Sequence, residues 1–185
     1  MVIFIHGFGS SGQSNKARLF RDYFKAHNIP YIAPSLSFIP DLAISTLEEL
    51  INSYDDVKLM GSSLGGYYAL YLSQKYNLKS VLINPSIHPK ETLKRHLKDY
   101  ATAYFDGSHF LFRENHIQML ERYDTQEKIL DSNYLLLLQK GDDILDYQEA
   151  IAKLPNALMV VEEGGSHQFD GIERHIKKIV DFFGV

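Results

Sequence analysis

Short apolar runs alternate with polar, helix-like stretches along most of this chain. Six runs stand between turn signals, at Val2 to Ile5, Tyr31 to Ala33, Val57 to Met60, Val81 to Ile83, Tyr134 to Leu138 and Ala157 to Val161. Short runs of this kind are typical of strands that are buried on both faces of a parallel sheet. Their alternation with helical segments predicts an α/β protein of three layers, with about six parallel strands and right-handed crossovers.

Between the runs, apolar residues recur every three or four positions, as they do on the buried face of a helix. Ser14 is the predicted N-cap of one helix, whose apolar face carries Ala17, Phe20 and Phe24. Residues 45–48 fit a capping box at the start of a second helix. A last helix is predicted from a stripe of five residues, Phe169, Ile172, Ile176, Ile179 and Phe183.

The stretch between Asn84 and Asn133 breaks the alternation. It shows no strand pattern, only helical patterns over residues 91–100 and 114–123. An insertion of this size is too long for an ordinary connection between a fourth and a fifth strand. We therefore predict a single domain over residues 1–185, in which residues 88–133 form a helical lid over the strand ends.

Composition narrows the possible classes of protein. The chain has 185 residues and no cysteine, which excludes a disulfide scaffold, a thiolate nucleophile and a cysteine-ligated zinc site. No pair of histidines has the spacing of metal ligands, so we predict neither a metal nor a cofactor. With a net charge of -4, the chain shows no basic footprint for nucleic acid. Its densest basic stretch, Lys94, Arg95 and Lys98, is interleaved with Glu91 and Asp99 and is interpreted as a solvated helix face.

The hydropathy of the chain bears on where the protein works. No apolar run approaches the roughly 20 residues that a membrane-spanning helix needs. The first residues lack the basic segment and the small-residue cleavage site of a signal peptide. Together with the absence of cysteine, these features predict a cytoplasmic protein without a membrane span.

The strongest chemical signal is a glycine-framed serine. Residues 61–65 read Gly-Ser-Ser-Leu-Gly, directly after an apolar run and directly before a helical segment. The glycines frame Ser63, whereas Ser62 has Met60 and Leu64 at the corresponding positions. Gly-x-Ser-x-Gly between a strand and a helix is the nucleophile elbow, a sharp turn that exposes the serine hydroxyl above the sheet. We predict Ser63 as the nucleophile.

A serine hydroxyl needs a base that takes its proton. His167 lies in a glycine-containing loop after the last apolar run, at the same edge of the predicted sheet as Ser63. It is therefore the predicted general base. His6, at the end of the first run, is expected to shape its loop and not to react.

A carboxylate is expected between the serine and the histidine in the chain. Asp142, Asp143 and Asp146 all follow the fifth apolar run. Asp146 has Glu149 three positions later and is explained by helix capping. On the residues alone, Asp142 and Asp143 both stay open as the group that orients His167.

Acyl transfer also requires donors for the developing oxyanion. One predicted donor is the backbone amide of Leu64, which follows the nucleophile. The second is expected from the loop after the first run, where the amide of Phe8 is the best placed.

These motifs resemble the α/β-hydrolase superfamily, and more narrowly the small bacterial YqiA/YcfP-type esterase family. The matching segments lie at 6–8, 10–11, 16–17, 61–67, 84–85, 141–147 and 162–167, so the resemblance covers most of the chain. It implies that Asp142 is the acid of a Ser63, Asp142 and His167 triad. It also implies the strand order 2-1-3-4-5-6, with the site at the carboxyl ends of the strands.

The expected activity is hydrolysis of small carboxylic esters through an acyl-enzyme, without a cofactor. Acyl thioesterases and peptidases use the same triad, and both remain alternatives, as does a lyase or haloperoxidase-like activity. A non-catalytic ligand-binding protein on a hydrolase scaffold is an alternative of another class. Five aromatic residues of the predicted lid either line an acyl pocket or form the core of the lid, namely Tyr100, Tyr104, Phe105, Phe110 and Phe112.

Overall fold

A computed structural model describes residues 1–97, 100–125 and 130–185. Their strands are β1 (Val2–Ile5), β2 (Tyr31–Ile32), β3 (Lys58–Ser63), β4 (Ser80–Pro85), β5 (Tyr100–Thr102), β6 (His109–Leu111), β7 (Tyr134–Gln139) and β8 (Leu158–Glu162). Six of them form one parallel sheet in the order β2-β1-β3-β4-β7-β8. Counted along the chain, this is the expected order 2-1-3-4-5-6, and each of these strands coincides with one of the six apolar runs.

Helices cover both faces of the parallel sheet. They are α1 (Asn15–Ala26), α2 (Pro40–Ser53), α3 (Leu64–Tyr76), α4 (Pro89–Leu93), α5 (Glu114–Glu121), α6 (Tyr147–Lys153) and α7 (Ile176–Phe183). Short 3-10 helices occur at Lys94–His96, Asp131–Asn133 and Ile172–His175. The predicted three-layer α/β architecture is confirmed.

The alternation of side chains along β7 shows how the layers are held together. Leu135 and Leu137 pack into one buried cluster with α1 and α7, whereas Leu136 and Leu138 pack into another with α2, α3 and α6. All four side chains are fully buried. Complete burial of a leucine contributes about 2 kcal/mol, so both faces of the strand stabilise the sheet.

The helix starts agree with the sequence at α1 and differ from it at α2. Ser14 caps α1, because its Oγ accepts a hydrogen bond from the amide of Ala17 at 3.3 Å. The capping box predicted at residues 45–48 is wrong, since α2 begins five residues earlier at Pro40. Proline suits the first position of a helix because it has no amide hydrogen to satisfy there. Ser45 therefore lies inside the helix.

The insertion contains strands, contrary to the prediction that it has none. β5 and β6 form an antiparallel pair in which Ala101 lies opposite Phe110. The helix predicted over 91–100 is replaced by α4 and the 3-10 helix that follows it, and Tyr100 belongs to β5. Lys98 and Asp99 of the predicted helix face lie outside the described residues. Strands of three residues are too short to show a period of two in the sequence.

Specific hydrogen bonds attach the insertion to the rest of the domain. The buried hydroxyl of Tyr67 in α3 donates to the carbonyl of Leu120 in α5 at 2.7 Å. The amide of Tyr104, at the turn between β5 and β6, donates to the carbonyl of Gly9 at 2.7 Å. The hairpin thus lies against the loop that follows β1, at the edge of the sheet where the predicted site residues are found.

Candidate active site

Ser63 stands at a sharp turn between β3 and α3. It is the last residue of the strand and the N-cap of the helix, and it adopts a φ of 55° and a ψ of -123°. Such a conformation is strained for a residue other than glycine, and strain of this kind is concentrated at functional sites. A Cβ on Gly65 would collide with the carbonyl of Ile5, so the motif needs glycine where α3 crosses β1.

His167 lies directly beside this serine. Its Nε2 is 3.0 Å from Oγ of Ser63, although the two residues are 104 positions apart in the chain. Its Nδ1 is 2.8 Å from Oδ2 of Asp142. The three predicted residues therefore form one continuous hydrogen-bonded chain.

Of the three aspartates after β7, only Asp142 contacts His167. Its side chain is 2% exposed, and its Oδ1 accepts hydrogen bonds from the amides of Ile144 and Leu145, each at 2.9 Å. Burial alone would raise the pKa of Asp142, but the hydrogen bonds from His167 and the two amides lower it below its ordinary value. Asp143 is exposed, and Asp146 caps α6 through the amide of Gln148.

Two buried side chains, Asn84 and Gln139, form hydrogen bonds that fix the loop carrying His167. The amide group of Asn84 donates to the carbonyl of Ser166 at 3.0 Å, and its oxygen accepts from the amide of Gln139. Oε1 of Gln139 accepts from the amides of Ser166 and Asp170, at 3.1 and 2.8 Å. These bonds fix the backbone on both sides of His167.

Sequence reasoning did not assign a role to this support. In the sequence, Asn84 marks only the start of the insertion and one of the segments of the family resemblance, and Gln139 directly follows the fifth apolar run. A polar residue at the end of an otherwise apolar strand was the available signal, because a buried amide must find hydrogen-bond partners.

The loop after β1 lies close to the nucleophile. A Cβ on Gly7 would lie 3.1 Å from Cβ of Ser63 and 3.5 Å from its Oγ, so glycine lets the two backbones approach closely. The next residue is Phe8, and across the serine stands Leu64, the first residue of α3. The first amides of a helix have no partner within the helix and point toward its N-terminal side. Of the two predicted oxyanion donors, Leu64 directly follows Ser63 in the chain, and Phe8 directly follows Gly7, which lies against Ser63.

His6 supports this loop and does not reach toward the reacting groups. Its Nε2 accepts from the amide of Leu36 at 2.9 Å, and its Nδ1 lies 2.8 Å from the carbonyl of Gly7. Burial lowers the pKa of His6, which favours the neutral ring that this pattern requires. The structural role expected for His6 agrees with these contacts.

A cavity of about 1010 Å³ opens above Ser63 and His167. Its walls come from the loop after β1, the start of α1, the insertion and the loop around His167. Tyr104 and Phe105 of the insertion line it and are largely exposed, whereas Phe112 is buried against Phe8. Of these aromatics of the insertion, Tyr104 and Phe105 therefore line the cavity, and Phe112 belongs to the buried core.

One buried polar group of this cavity has no partner in the described part of the chain. Ser86 lines the cavity and is 3% exposed, and its hydroxyl makes no hydrogen bond there. A hydroxyl in this position can donate to or accept from a molecule that enters the cavity.

The described part of the chain shows neither a metal-binding cluster nor a membrane-spanning helix. Within residues 1–97, 100–125 and 130–185, no group of three or more His, Asp or Glu side chains is arranged to hold a metal ion. No helix in the same ranges is both long and apolar enough to cross a membrane.

Comparison with known proteins gives the family of the chain. The model of the "Uncharacterised protein family (UPF0227)" matches residues 1–184. The chain belongs to this UPF0227 family. The family is of the YcfP/YqiA type, so the resemblance noted in the sequence is confirmed. A UPF0227 protein of Vibrio parahaemolyticus is 23% identical over 188 residues, which cover 98% of each chain.

Solved structures share the fold of this UPF0227 member. Mouse alpha/beta hydrolase domain-containing protein 10 superposes with a TM-score of 0.76 at 17% identity, over 97% of this chain and 89% of the mouse chain. Est1E from Butyrivibrio proteoclasticus, in its complex with ferulic acid, gives a TM-score of 0.72 at 12% identity, over 99% and 87% of the two chains. At these identities the likeness shows the α/β-hydrolase fold and nothing further.

Proposed function

We propose that this chain is a serine hydrolase of carboxylic esters. Ser63 is the nucleophile, His167 the general base and Asp142 the group that orients the base. The observation that carries the proposal is the continuous hydrogen-bonded chain from Asp142 through His167 to Ser63, with distances of 2.8 and 3.0 Å. Its serine end has the strained conformation of a nucleophile elbow.

The hydrogen bonds define how protons move in the first half of the reaction. Asp142 accepts the Nδ1 hydrogen of His167, which leaves Nε2 free to accept the proton of Ser63. As Oγ of Ser63 bonds to the acyl carbon, its proton passes to Nε2, and Asp142 stabilises the imidazolium. Because the pKa of Asp142 is lowered, the carboxylate stays ionised through this step.

The carbonyl oxygen becomes negative as the tetrahedral intermediate forms. The amides of Leu64 and Phe8 are the proposed donors to this oxyanion. Gly7 supports the second assignment, since it lies against Ser63 and is directly followed by Phe8. Donors that are fixed in advance are effective because they need no reorganisation during the reaction.

The second half of the reaction reverses the proton transfers. His167 first protonates the leaving alcohol, which departs from the acyl-enzyme. It then takes a proton from the water that attacks the acyl carbon, and it returns that proton to Oγ of Ser63 as the acid leaves. No cofactor enters these steps. The cavity wall of Tyr104, Phe105 and Ile144 is suited to a small apolar acyl group, and we propose that residues 88–133 act as its lid. The cytoplasmic location expected from the sequence stays a prediction.

The proposal is tested by hydrolysis of p-nitrophenyl acyl esters, from acetyl to dodecanoyl, and of the corresponding acyl thioesters. Ser63→Ala is compared with wild type and with Ser62→Ala, a matched control on the adjacent serine outside the glycine frame. We expect kcat to fall by about 10⁴- to 10⁶-fold in Ser63→Ala, because the nucleophile is lost. Ser62→Ala is expected to keep its rate within a few-fold.

Two results would contradict the proposal. Folded wild type that hydrolyses none of these substrates faster than Ser63→Ala is not an esterase. If a fluorophosphonate probe also leaves Ser63 unmodified, the protein is better described as a binding protein on a hydrolase scaffold. If the protein clearly prefers thioesters or an anilide to esters, its substrate is another acyl compound that the same triad cleaves.

A further inference from the structure

Three cationic side chains around the cavity differ from most others on the surface. Several lysines elsewhere pair with carboxylates, as Lys75 does with Glu48 and Lys177 with Asp181. Lys16, Arg18 and Arg95 line the cavity above Ser63, and none has a carboxylate within 4 Å among the described residues. Unpaired cations at the walls of a cavity are available to a negatively charged ligand.

Lys16 is the member of this set with the most defined position. It lies in the first turn of α1, and its Nζ donates to the carbonyl of Gln168 at 2.6 Å. An ammonium group has three donor hydrogens, so two remain for other acceptors. Burial lowers the pKa of Lys16 to about 8, although Asp142 and Asp170 act in the opposite direction. An anion at this position would compensate the burial of the charge.

The two carboxylates nearest to Lys16 already have other partners. Asp142 bonds to His167 and to two backbone amides. Oδ1 of Asp170 accepts from the hydroxyl of Ser166 at 2.9 Å. Glu173 also lines the cavity, on an exposed position of the 3-10 helix that follows. None of these carboxylates forms an ion pair with Lys16. Its ammonium group is therefore available to a ligand on the cavity side.

The position of Lys16 also indicates which part of an ester it would meet. His167 protonates the leaving oxygen, so the alcohol portion must lie next to the loop that carries this histidine. Lys16 is hydrogen-bonded to the residue that follows His167. Arg95 belongs to the other side, because the ring of its neighbour His96 packs at a tilt against Phe8, with ring centroids 5.0 Å apart. Lys16 is thus on the alcohol side.

We propose that the alcohol portion of the substrate carries a negatively charged oxygen group, such as a carboxylate, and that Lys16 binds it. Lys16 is then a specificity-determining residue, and the substrates are anionic esters of the general form acyl–O–R–COO⁻. This inference rests on the proposed function, since it assumes that Ser63 cleaves an ester bond.

The test uses two esters of similar size, 4-acetoxybenzoate, whose leaving group is anionic, and 4-acetoxybenzamide, whose leaving group is neutral. The ratio of their kcat/KM values is measured for wild type, Lys16→Met, Lys16→Arg and Lys25→Met. Lys25 is the matched control, because it is an exposed lysine of the same helix outside the cavity. Comparing the ratio between variants cancels the intrinsic reactivity of the two esters.

We expect the anionic-to-neutral ratio to fall by about tenfold or more in Lys16→Met, as is typical when a charged hydrogen bond is lost. Lys16→Arg keeps the charge and should keep most of the preference, and Lys25→Met should leave the ratio unchanged. A variant that still hydrolyses the neutral ester is folded, so this rate serves as the control for folding.

Two results would overturn the inference while leaving the proposed function intact. One is an unchanged ratio in Lys16→Met. The other is an equal loss on both esters, which would mean that Lys16 only holds the loop of His167 through Gln168. If wild type hydrolyses neither ester nor any of the p-nitrophenyl and thioester substrates, the proposed function itself fails, and the two failures are therefore distinguishable.

Discussion

The carboxyl edge of the parallel sheet and the insertion between β4 and β7 meet at the same cavity, but they are built differently. Ser63 ends β3, and Asp142 and His167 follow β7 and β8. These strands have five or six residues, with cores on both faces of the sheet. The insertion has strands of three residues and largely exposed aromatics such as Tyr104. Among its described residues, strand pairing is local, between β5 and β6.

The contrast separates two tasks of the site. Groups that exchange a proton must be held within tenths of an ångström, and a sheet that is buried on both faces provides that rigidity. A wall that only shapes a cavity tolerates more variation, so it can be made of short elements attached by a few hydrogen bonds. Chemistry should therefore be sensitive to changes at the sheet edge, and the insertion should chiefly affect substrate choice.

Beyond the nucleophile itself, the largest expected effect is at the acid of the proposed triad. In Asp142→Asn, the amide can donate to Nδ1 of His167 and favours the wrong tautomer, so kcat should fall by about 10⁴-fold. Asp143→Asn is the matched control, because Asp143 is exposed and next in the chain, and it should stay within about twofold. Steady-state kinetics on the best p-nitrophenyl ester measure both. A large loss in Asp143→Asn with a mild one in Asp142→Asn would reverse the assignment.

A second comparison concerns stability in the two regions. Leu136 in β7 is fully buried, whereas Leu111 in β6 is 40% exposed. Leu136→Ala should lower the free energy of unfolding by about 2–5 kcal/mol, since it removes buried surface and leaves a cavity. Leu111→Ala should change it by about 0.5 kcal/mol or less. Urea denaturation gives both values, and similar losses in the two variants would contradict the contrast between sheet and insertion.

The smallest of these effects is at the support of the histidine loop. Asn84→Ala removes the hydrogen bonds to Ser166 and Gln139, and we expect kcat to fall by about 10- to 100-fold as His167 loses its fixed position. Asn84 has a φ of 38°, a conformation that glycine adopts without strain. Asn84→Gly is therefore compared with Asn84→Ala, so that loss of the hydrogen bonds is separated from backbone strain. Asn133→Ala, on the surface, serves as the neutral control. A wild-type rate in Asn84→Gly would show that the hydrogen bonds do not position His167.

The candidate site could be predicted from the sequence where a backbone requirement fixes the residue type. Ser63 was recognisable because the turn needs glycine at Gly61 and Gly65. Asp142 was not separable from Asp143 by pattern, since both stand in one loop and differ only in the direction of their side chains. The resemblance to a family favoured Asp142, and the contact with His167 agrees with it.

The fold, like the site, could be predicted only where a structural requirement fixes the type of residue. Apolar runs of the sheet were recognised because a strand buried on both faces has to be apolar throughout. The hairpin of the insertion was missed, because three residues per strand carry no readable period and because its contacts with Gly9 and Phe8 lie elsewhere in the chain. The start of α2 was missed because a serine with a glutamate three residues later also occurs inside helices.

The sequence by itself predicted the parallel sheet and the proposed nucleophile, because these follow from local apolar patterns and from glycines that a sharp turn requires, whereas the strand order was implied by the family resemblance. The tertiary structure alone decided which aspartate meets His167, how Asn84 and Gln139 hold its loop, and where Lys16 directs its charge. These depend on contacts between residues that are 25 to 152 positions apart in the chain. Such contacts form only when the strands bring their carboxyl ends to one edge of the sheet.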